Sequence, residues 1–268
     1  MRRAETIASA ANPLVKDVRH AISRGSLTAE GLCVAETFHL LEEALASGCE
    51  VRQVLAAESA HAAVETRVRR SPKTSVTVLK DGLFQSLSAT ETSQGVMALV
   101  KPPEWNPDQL FRGRPLVVLL DGLQDPGNAG SIVRAAEAFG ATGVLFLKGA
   151  VSPFNPKTLR ASAGSLFRLP FLPAADPALA HAALERHGVE LYAAMPGRSG
   201  DAVRSLAAAD LARSCGLIIG NEARGVSPEW RAAAADLSIP TMGVESLNAA
   251  VAAGILLYEA SRQRGLPR

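Results

Sequence analysis

The residues best suited to chemistry lie in three segments, each of which leaves an apolar run and turns through glycine or proline. The first runs Asp121-Gly122-Leu123-Gln124-Asp125-Pro126-Gly127-Asn128-Ala129-Gly130-Ser131-Ile132-Val133-Arg134 and leads into a helical stretch ending near Phe139-Gly140. An asparagine in such a turn can both donate and accept hydrogen bonds, and Arg134, in the opening turns of the helix, has a planar guanidinium able to reach back toward the loop. The second segment, Leu217-Ile218-Ile219-Gly220-Asn221-Glu222-Ala223-Arg224-Gly225-Val226-Ser227, breaks at Gly220 and places Glu222 and Arg224 in a loop. There they either serve a ligand or are simply solvated. Ser227 is expected to N-cap a short helix that begins at Pro228 and carries Glu229 in its first turn. The third, from Leu237 through Ile239-Pro240-Thr241-Met242-Gly243-Val244-Glu245-Ser246-Leu247-Asn248 to Gly254, reads as a short strand, a loop and a helix opened by Ser246 or Asn248.

One carboxylate, two amides and a guanidinium at strand ends suit the hydrogen bonding of a polar ligand. A purely structural turn is the competing reading of the first segment. Neither Gly-x-Gly-x-x-Gly nor a Gly-Lys-Ser/Thr ending is present, which argues against a phosphate-binding loop and against a nicotinamide dehydrogenase on an ordinary dinucleotide-binding fold. No Cys-x-x-Cys spacing relates Cys33, Cys49 and Cys215, so the odd set predicts buried reduced thiols with no disulfide framework and no metal site.

The elements that must position these residues alternate. Apolar runs at Pro115–Leu120, Gly143–Leu147, Val189–Ala194 and Gly216–Ile219 are each followed by a helical stretch, as in a parallel sheet covered by helices. Upstream, β-type runs at Leu32–Ala35, Val51–Ala56, Ser75–Leu79 and Gly95–Val100 alternate with helical Phe38–Ala46 and Ala60–Arg69. Between the two halves lies a polar, proline-rich stretch, Pro102-Pro103 through Pro107 and on to Pro115. The expected organisation is therefore two α/β domains of unequal size, with a smaller domain over residues 1–101, a linker over 102–114 and a larger domain over 115–268. The last helix, Leu247–Gln263, is apolar on more than one face, which suits a core position or a dimer interface.

At 268 residues and 47% hydrophobic, the chain can bury a core in each domain. No apolar run approaches the roughly 20 residues that span a bilayer, and the amino terminus lacks the apolar stretch of a secretion signal. The expectation is a cytoplasmic protein with no membrane partner. A net charge of +2 does not by itself announce a nucleic-acid binder, although the basic residues are mostly Arg, which can grip phosphate bidentately. A GC-rich genome explains the same bias.

Taken in order, the three segments resemble the motifs of the SpoU (TrmH) family of RNA ribose 2′-O-methyltransferases, within the SPOUT superfamily. The matching residues are Asn128, Gly130 and Arg134 with Phe139-Gly140; Gly220-Asn221-Glu222 with Gly225; and Ile239-Pro240 with Ser246-Leu247-Asn248. Phe154-Asn155-Pro156-Lys157 through Arg160-Ala161-Ser162-Ala163-Gly164-Ser165 looks like the stretch that follows the second strand in these proteins. One departure is Thr241, which stands where family members usually carry Met directly after Ile-Pro. More loosely, Asn12-Pro13 with Lys16 and Arg19, Glu30-Gly31 and Gln94-Gly95-Val96 resemble the small substrate-binding domain found ahead of the catalytic domain in many members.

The resemblance implies an α/β fold whose carboxyl-terminal parallel sheet carries a deep trefoil knot, preceded by a smaller α/β RNA-binding domain, in a homodimer. It implies S-adenosyl-L-methionine (AdoMet) as cofactor, held by Ile219, Gly220, Ile239, Met242, Leu247 and Asn248. By the same resemblance Arg134, Asn128, Glu222, Ser246 and Asn248 form the catalytic set, with either Arg134 or Glu222 handling the hydroxyl proton. Lys16, Arg19, Arg24 and Arg160, joined by Arg2 and Arg3, would contact structured RNA, with ribosomal RNA favoured over tRNA. The same reaction on tRNA, a catalytically inactive RNA-binding protein of this fold, and a knotted enzyme that methylates a base are the alternatives.

Overall fold

The computed structural model describes residues 5–196 and 204–265, which form two compact units. Arg2 and Arg3 lie outside the described residues. Unit 1 takes in the residues up to Glu104 together with Phe154–Arg168, and unit 2 takes in Trp105–Pro153 and the residues from Leu169 onward.

The amino-terminal stretch of unit 1 runs β1 (Glu5–Ile7), α1 (Pro13–Arg24), β2 (Cys33–Glu36), α2 (Phe38–Ala46), β3 (Val51–Ala57), α3 (His61–Val68), β4 (Ser75–Leu79), α4 (Asp81–Gln85) and β5 (Val96–Val100). Helix α1 starts where Asn12 accepts from the Leu14 N–H and Pro13 takes the first turn, and it stops at Gly25 in the left-handed region. The strands form one sheet in the order β1-β4-β3-β5-β2. This sheet is not parallel throughout, as the alternation of runs had implied, because β5 pairs antiparallel with both β2 and β3. After β4 the chain makes only the five-residue α4 and turns back, whereas a parallel return needs a full crossover.

Unit 2 runs β6 (Leu116–Leu120), α5 (Pro126–Ala138), β7 (Gly143–Leu147), β8 (Phe171–Ala175), α7 (Pro177–Arg186), β9 (Glu190–Met195), β10 (Arg204–Ser205), β11 (Cys215–Ile219), α8 (Pro228–Ala232), β12 (Ala235–Ser238) and α9 (Ala249–Gln263). Among the described residues all of its strand pairings are parallel, in the order β10-β12-β9-β11-β6-β7-β8. Every residue of β6, β7 and β11 is buried, as expected of central parallel strands covered on both faces. The edge strand β8 has no comparable apolar run. It contains Pro173 and buries only Phe171, and a proline is tolerated there because one side of an edge strand needs no partner. Because the strands are parallel, their carboxyl ends share one edge, where β6 and β11 stand side by side.

Between β7 and β8 the chain contributes α6 (Pro156–Ser162), which is capped by Asn155 and packs on β2 within unit 1. The contact centres on Glu36, whose side chain is 2% exposed. Glu36 accepts from the hydroxyls of Ser88 and Thr90, from the Ala89 N–H, and from the Arg160 guanidinium at 3.0 Å. A buried carboxylate is tolerated only when its acceptor sites are filled in this way. Glu36→Ala is expected to destabilise the protein by about 3 kcal/mol in urea unfolding, since it leaves Arg160 and both hydroxyls without their acceptor. A loss below about 1 kcal/mol would show that the cluster is not a structural anchor.

Candidate active site

The carboxyl ends of β6 and β11 are joined directly, the Asp121 N–H donating to the Ile219 carbonyl at 2.9 Å. Beyond Ile219 the chain folds into a tight loop in which Asn221 and Gly225 exchange both backbone hydrogen bonds, at 2.9 and 2.8 Å. The Asn221 carboxamide oxygen accepts from the N–H groups of Ala223 and Arg224, and its amide donates to the Gly122 carbonyl at 2.9 Å. Gly220 permits this loop. A Cβ there would stand 2.2 Å from the Gly225 carbonyl carbon and 2.3 Å from the Val226 nitrogen, both backbone atoms that cannot yield.

From this loop Glu222 reaches across to the segment after β6. One of its oxygens accepts from the Gln124 N–H at 3.2 Å, and the other from the Asp125 N–H at 3.1 Å and the Asn128 amide at 3.3 Å. The Asn128 carboxamide oxygen in turn accepts from the Asn248 amide at 3.0 Å. Asn248 is the N-cap of α9, its own oxygen accepting from the Ala250 and Val251 N–H groups. Asp125, which sequence reasoning passed over, caps α5 by accepting from the Asn128 N–H at 2.7 Å. The Asp-Pro pair at 125 and 126 was its signal, a capping residue followed by proline at the first helical position. Ser227 occupies the N-cap position of α8, but its side chain makes no capping bond. Its N–H instead donates to Asp121 at 2.7 Å, which ties the far end of the loop to the β6 segment.

Beside this network lies a cavity of about 710 Å³. Ile219, Gly220, Glu222, Ile239, Ser246, Leu247 and Asn248 are on its wall, with Leu237, Ala252 and Leu256 adding apolar surface. Met242 does not line it and is 96% exposed. Arg134 is not on the wall either. It sits in the third turn of α5 rather than at the helix opening, exposed, and makes no hydrogen bond or ion pair among the described residues. In unit 1, Lys16 and Arg24 are exposed on α1, Arg19 donates to the Ser86 hydroxyl at 3.4 Å, and the Arg160 guanidinium is taken up by Glu36.

The SpoU rRNA methylase family model matches residues 115–258, and the MRM3-like substrate-binding domain model matches residues 12–98. The chain belongs to the SpoU rRNA methylase family. It is 34% identical over 256 residues to the 23S rRNA (guanosine(2553)-2′-O)-methyltransferase RlmP of Bacillus subtilis, across 94% of this chain and 97% of that one. Among solved structures it is similar to the SpoU methyltransferase AviRb of Streptomyces viridochromogenes in complex with AdoMet, with a TM-score of 0.78, 28% identity and coverage of 94% and 99%. An AdoMet-bound rRNA methyltransferase of Sinorhizobium meliloti gives the same TM-score at 28% identity, over 97% of this chain and 98% of that one.

AdoMet fits the cavity on this chain's own geometry. Its volume suits a nucleoside-sized ligand, Gly220 leaves backbone atoms accessible at the end of β11, and Leu237, Ile239 and Leu256 offer an apolar wall for a base. The electrostatics of Glu222 follow from the same contacts. Partial burial alone would push its carboxyl up, but hydrogen bonds from its own N–H, Asp125, Gln124 and Asn128 together outweigh that and hold it below the ordinary carboxylate value. Because the folded value is depressed, its contribution to stability is present above the unfolded carboxylate pKa of about 4.3 and is lost as pH falls through the lower folded value. Glu222→Gln is therefore expected to lower AdoMet affinity at neutral pH by about tenfold and to flatten the acid limb of thermal stability. An unchanged affinity together with an unchanged acid limb would show that the carboxylate does not hold the loops.

Proposed function

We propose that this protein transfers the methyl group of AdoMet to a ribose 2′-hydroxyl of 23S rRNA. The observation that carries the reading is the continuous network Glu222–Asn128–Asn248, which fastens three loops together at the edge of the 710 Å³ cavity. The rRNA methyltransferase names of the relatives favour ribosomal RNA over tRNA. The cytoplasm is the setting in this reading. None of the described helices is long and apolar enough to cross a membrane.

In this mechanism Ile219, Gly220, Ile239 and Leu247 hold the cofactor through the shape of their loops, and bound AdoMet supplies an electrophilic sulfonium methyl group. Asn128, Asn248 and Ser246 orient the acceptor, so that the reacting oxygen is placed in line. Glu222, ionised and occupied by its donors, is a poor base at neutral pH and acts by fixing Asn128. The Arg134 guanidinium, which makes no hydrogen bond or ion pair among the described residues, steadies the alkoxide that develops as the hydroxyl proton passes to solvent. Lys16, Arg19 and Arg24 on α1 contribute to RNA binding by unit 1.

The sheet order supports a knotted carboxyl terminus. Strand β12 lies beyond β9, yet the following α9 returns to pack on α5 and β11. A homodimer completes the reading, since α9 exposes Val251 (51%), Ile255 (37%) and Tyr258 (53%) at helical spacing, an apolar stripe that a second copy would cover.

The function is tested by incubating the protein with labelled AdoMet and unmodified 23S rRNA, followed by nuclease digestion and mass spectrometry. The expected product is a 2′-O-methylnucleoside, and a methylated base on unmodified ribose would refute the proposal. Arg134→Lys, which keeps charge but loses the fork, is expected to lower turnover at least a hundredfold with AdoMet binding intact, whereas near-wild-type turnover would remove Arg134 from the chemistry. Light scattering should give twice the monomer mass for the wild type and the monomer mass for Tyr258→Glu; a monomeric wild type would contradict the dimer.

A further inference from the structure

On the carboxyl edge of the unit 2 sheet, two cations flank the network without belonging to it. Arg224 stands near the tip of the loop after β11, and Lys148 directly follows β7. Both are exposed, and neither side chain makes a hydrogen bond or ion pair among the described residues. The carboxylates on the loops after β6 and β11 are otherwise engaged. Glu222 accepts from the Gln124 and Asp125 N–H groups and from the Asn128 amide, Asp125 caps α5, and Asp121 accepts from the Ser227 N–H. Some other cations of unit 2 have protein partners, as Arg231 has with Asp236 and Arg262 with Glu259.

Their placement is also constrained. The Arg224 N–H donates to Asn221 at 3.0 Å, and the Asn221–Gly225 backbone pair closes the loop around it. The Lys148 N–H donates to the Ala175 carbonyl at 3.0 Å, fixing where β7 ends. The order β11-β6-β7 puts the segment bearing Asn128 between them. Strands lie about 4.8 Å apart, so β11 and β7, from whose carboxyl ends the two segments leave, are about 10 Å apart, a span comparable to one short stretch of RNA backbone.

We propose that Arg224 and Lys148 are phosphate-binding residues that grip the acceptor RNA strand on either side of the nucleotide presented to Asn128. The proposal rests on the RNA methyltransferase reading and adds the route by which the substrate backbone crosses the site. Arg224 is on the cavity wall and Lys148 is not, so a ligand that engages both cations must extend beyond the cofactor cavity, which favours a polyanion over the single carboxylate of AdoMet.

The test measures binding of an unmodified 23S rRNA transcript against salt concentration for the wild type, Arg224→Gln, Lys148→Gln, the double variant and the charge-keeping pair Arg224→Lys and Lys148→Arg. Each Gln substitution should weaken RNA binding several-fold and reduce the slope of log affinity against log salt by about 0.7, the double variant by about twice that, with AdoMet affinity unchanged. The charge-keeping variants should retain the wild-type slope. Unchanged slopes in the Gln variants would overturn the proposal, and a loss of AdoMet affinity in Arg224→Gln would reassign that residue to the cofactor carboxylate. A wild type that binds the transcript but leaves its ribose unmethylated would instead overturn the functional reading, while the slopes would still decide the phosphate contacts.

Discussion

The site depends on one carboxylate whose acceptor positions are filled by three donors from one other segment of chain. Glu222 belongs to the loop after β11, and its donors are the backbone at Gln124 and Asp125 and the amide of Asn128. Asn128 carries the connection on to the cap of α9. Remove the carboxylate and two backbone donors lose their acceptor, the Asn128 amide is released, and the opening of α9 loses its link to the loops. The same contacts hold the Glu222 carboxyl below its ordinary value, and in the proposed mechanism this leaves it a structural group and not the base.

Two features of the fold make that arrangement possible. Parallel pairing of β6 with β11 delivers both loops to one edge of the sheet, and burial of both strands on both faces leaves no freedom of register that would shift one loop against the other. Gly220 then lets the loop after β11 turn back on itself at a distance no side chain would permit. The proposed site therefore lies at the end of fully buried strands, on side chains that hold one another in place.

Much of this was legible in the residues. The continuous apolar runs marked β6, β7 and β11, and the three punctuated segments that resembled the SpoU motifs are the ones that converge in space. What escaped notice did so for physical reasons. Strand β8 is a half-exposed edge containing Pro173, with no pattern to reveal it. The antiparallel course of β5 depends on a connection whose direction periodicity does not encode. Arg160, expected at RNA, meets Glu36, a partner 124 positions away in sequence that only the tertiary fold supplies. Met242 was expected at the cofactor from the resemblance, yet its side chain stands 96% exposed and off the cavity wall. Glu222 was recognised by its type and place, but its donors are backbone groups and leave no trace in residue identity.

The central claim, that Glu222, Asn128 and Asn248 act as one unit shaping the cofactor cavity, is tested most directly by a double-mutant cycle on AdoMet affinity. Glu222→Gln, Asn248→Ala and the double variant would be measured by calorimetry without RNA. These two residues share only Asn128 as intermediary, so a connected network predicts an interaction energy of at least about 0.5 kcal/mol, the double variant losing less than the sum of the singles. Strict additivity would mean that Glu222 and Asn248 serve the cavity independently, and would contradict the account.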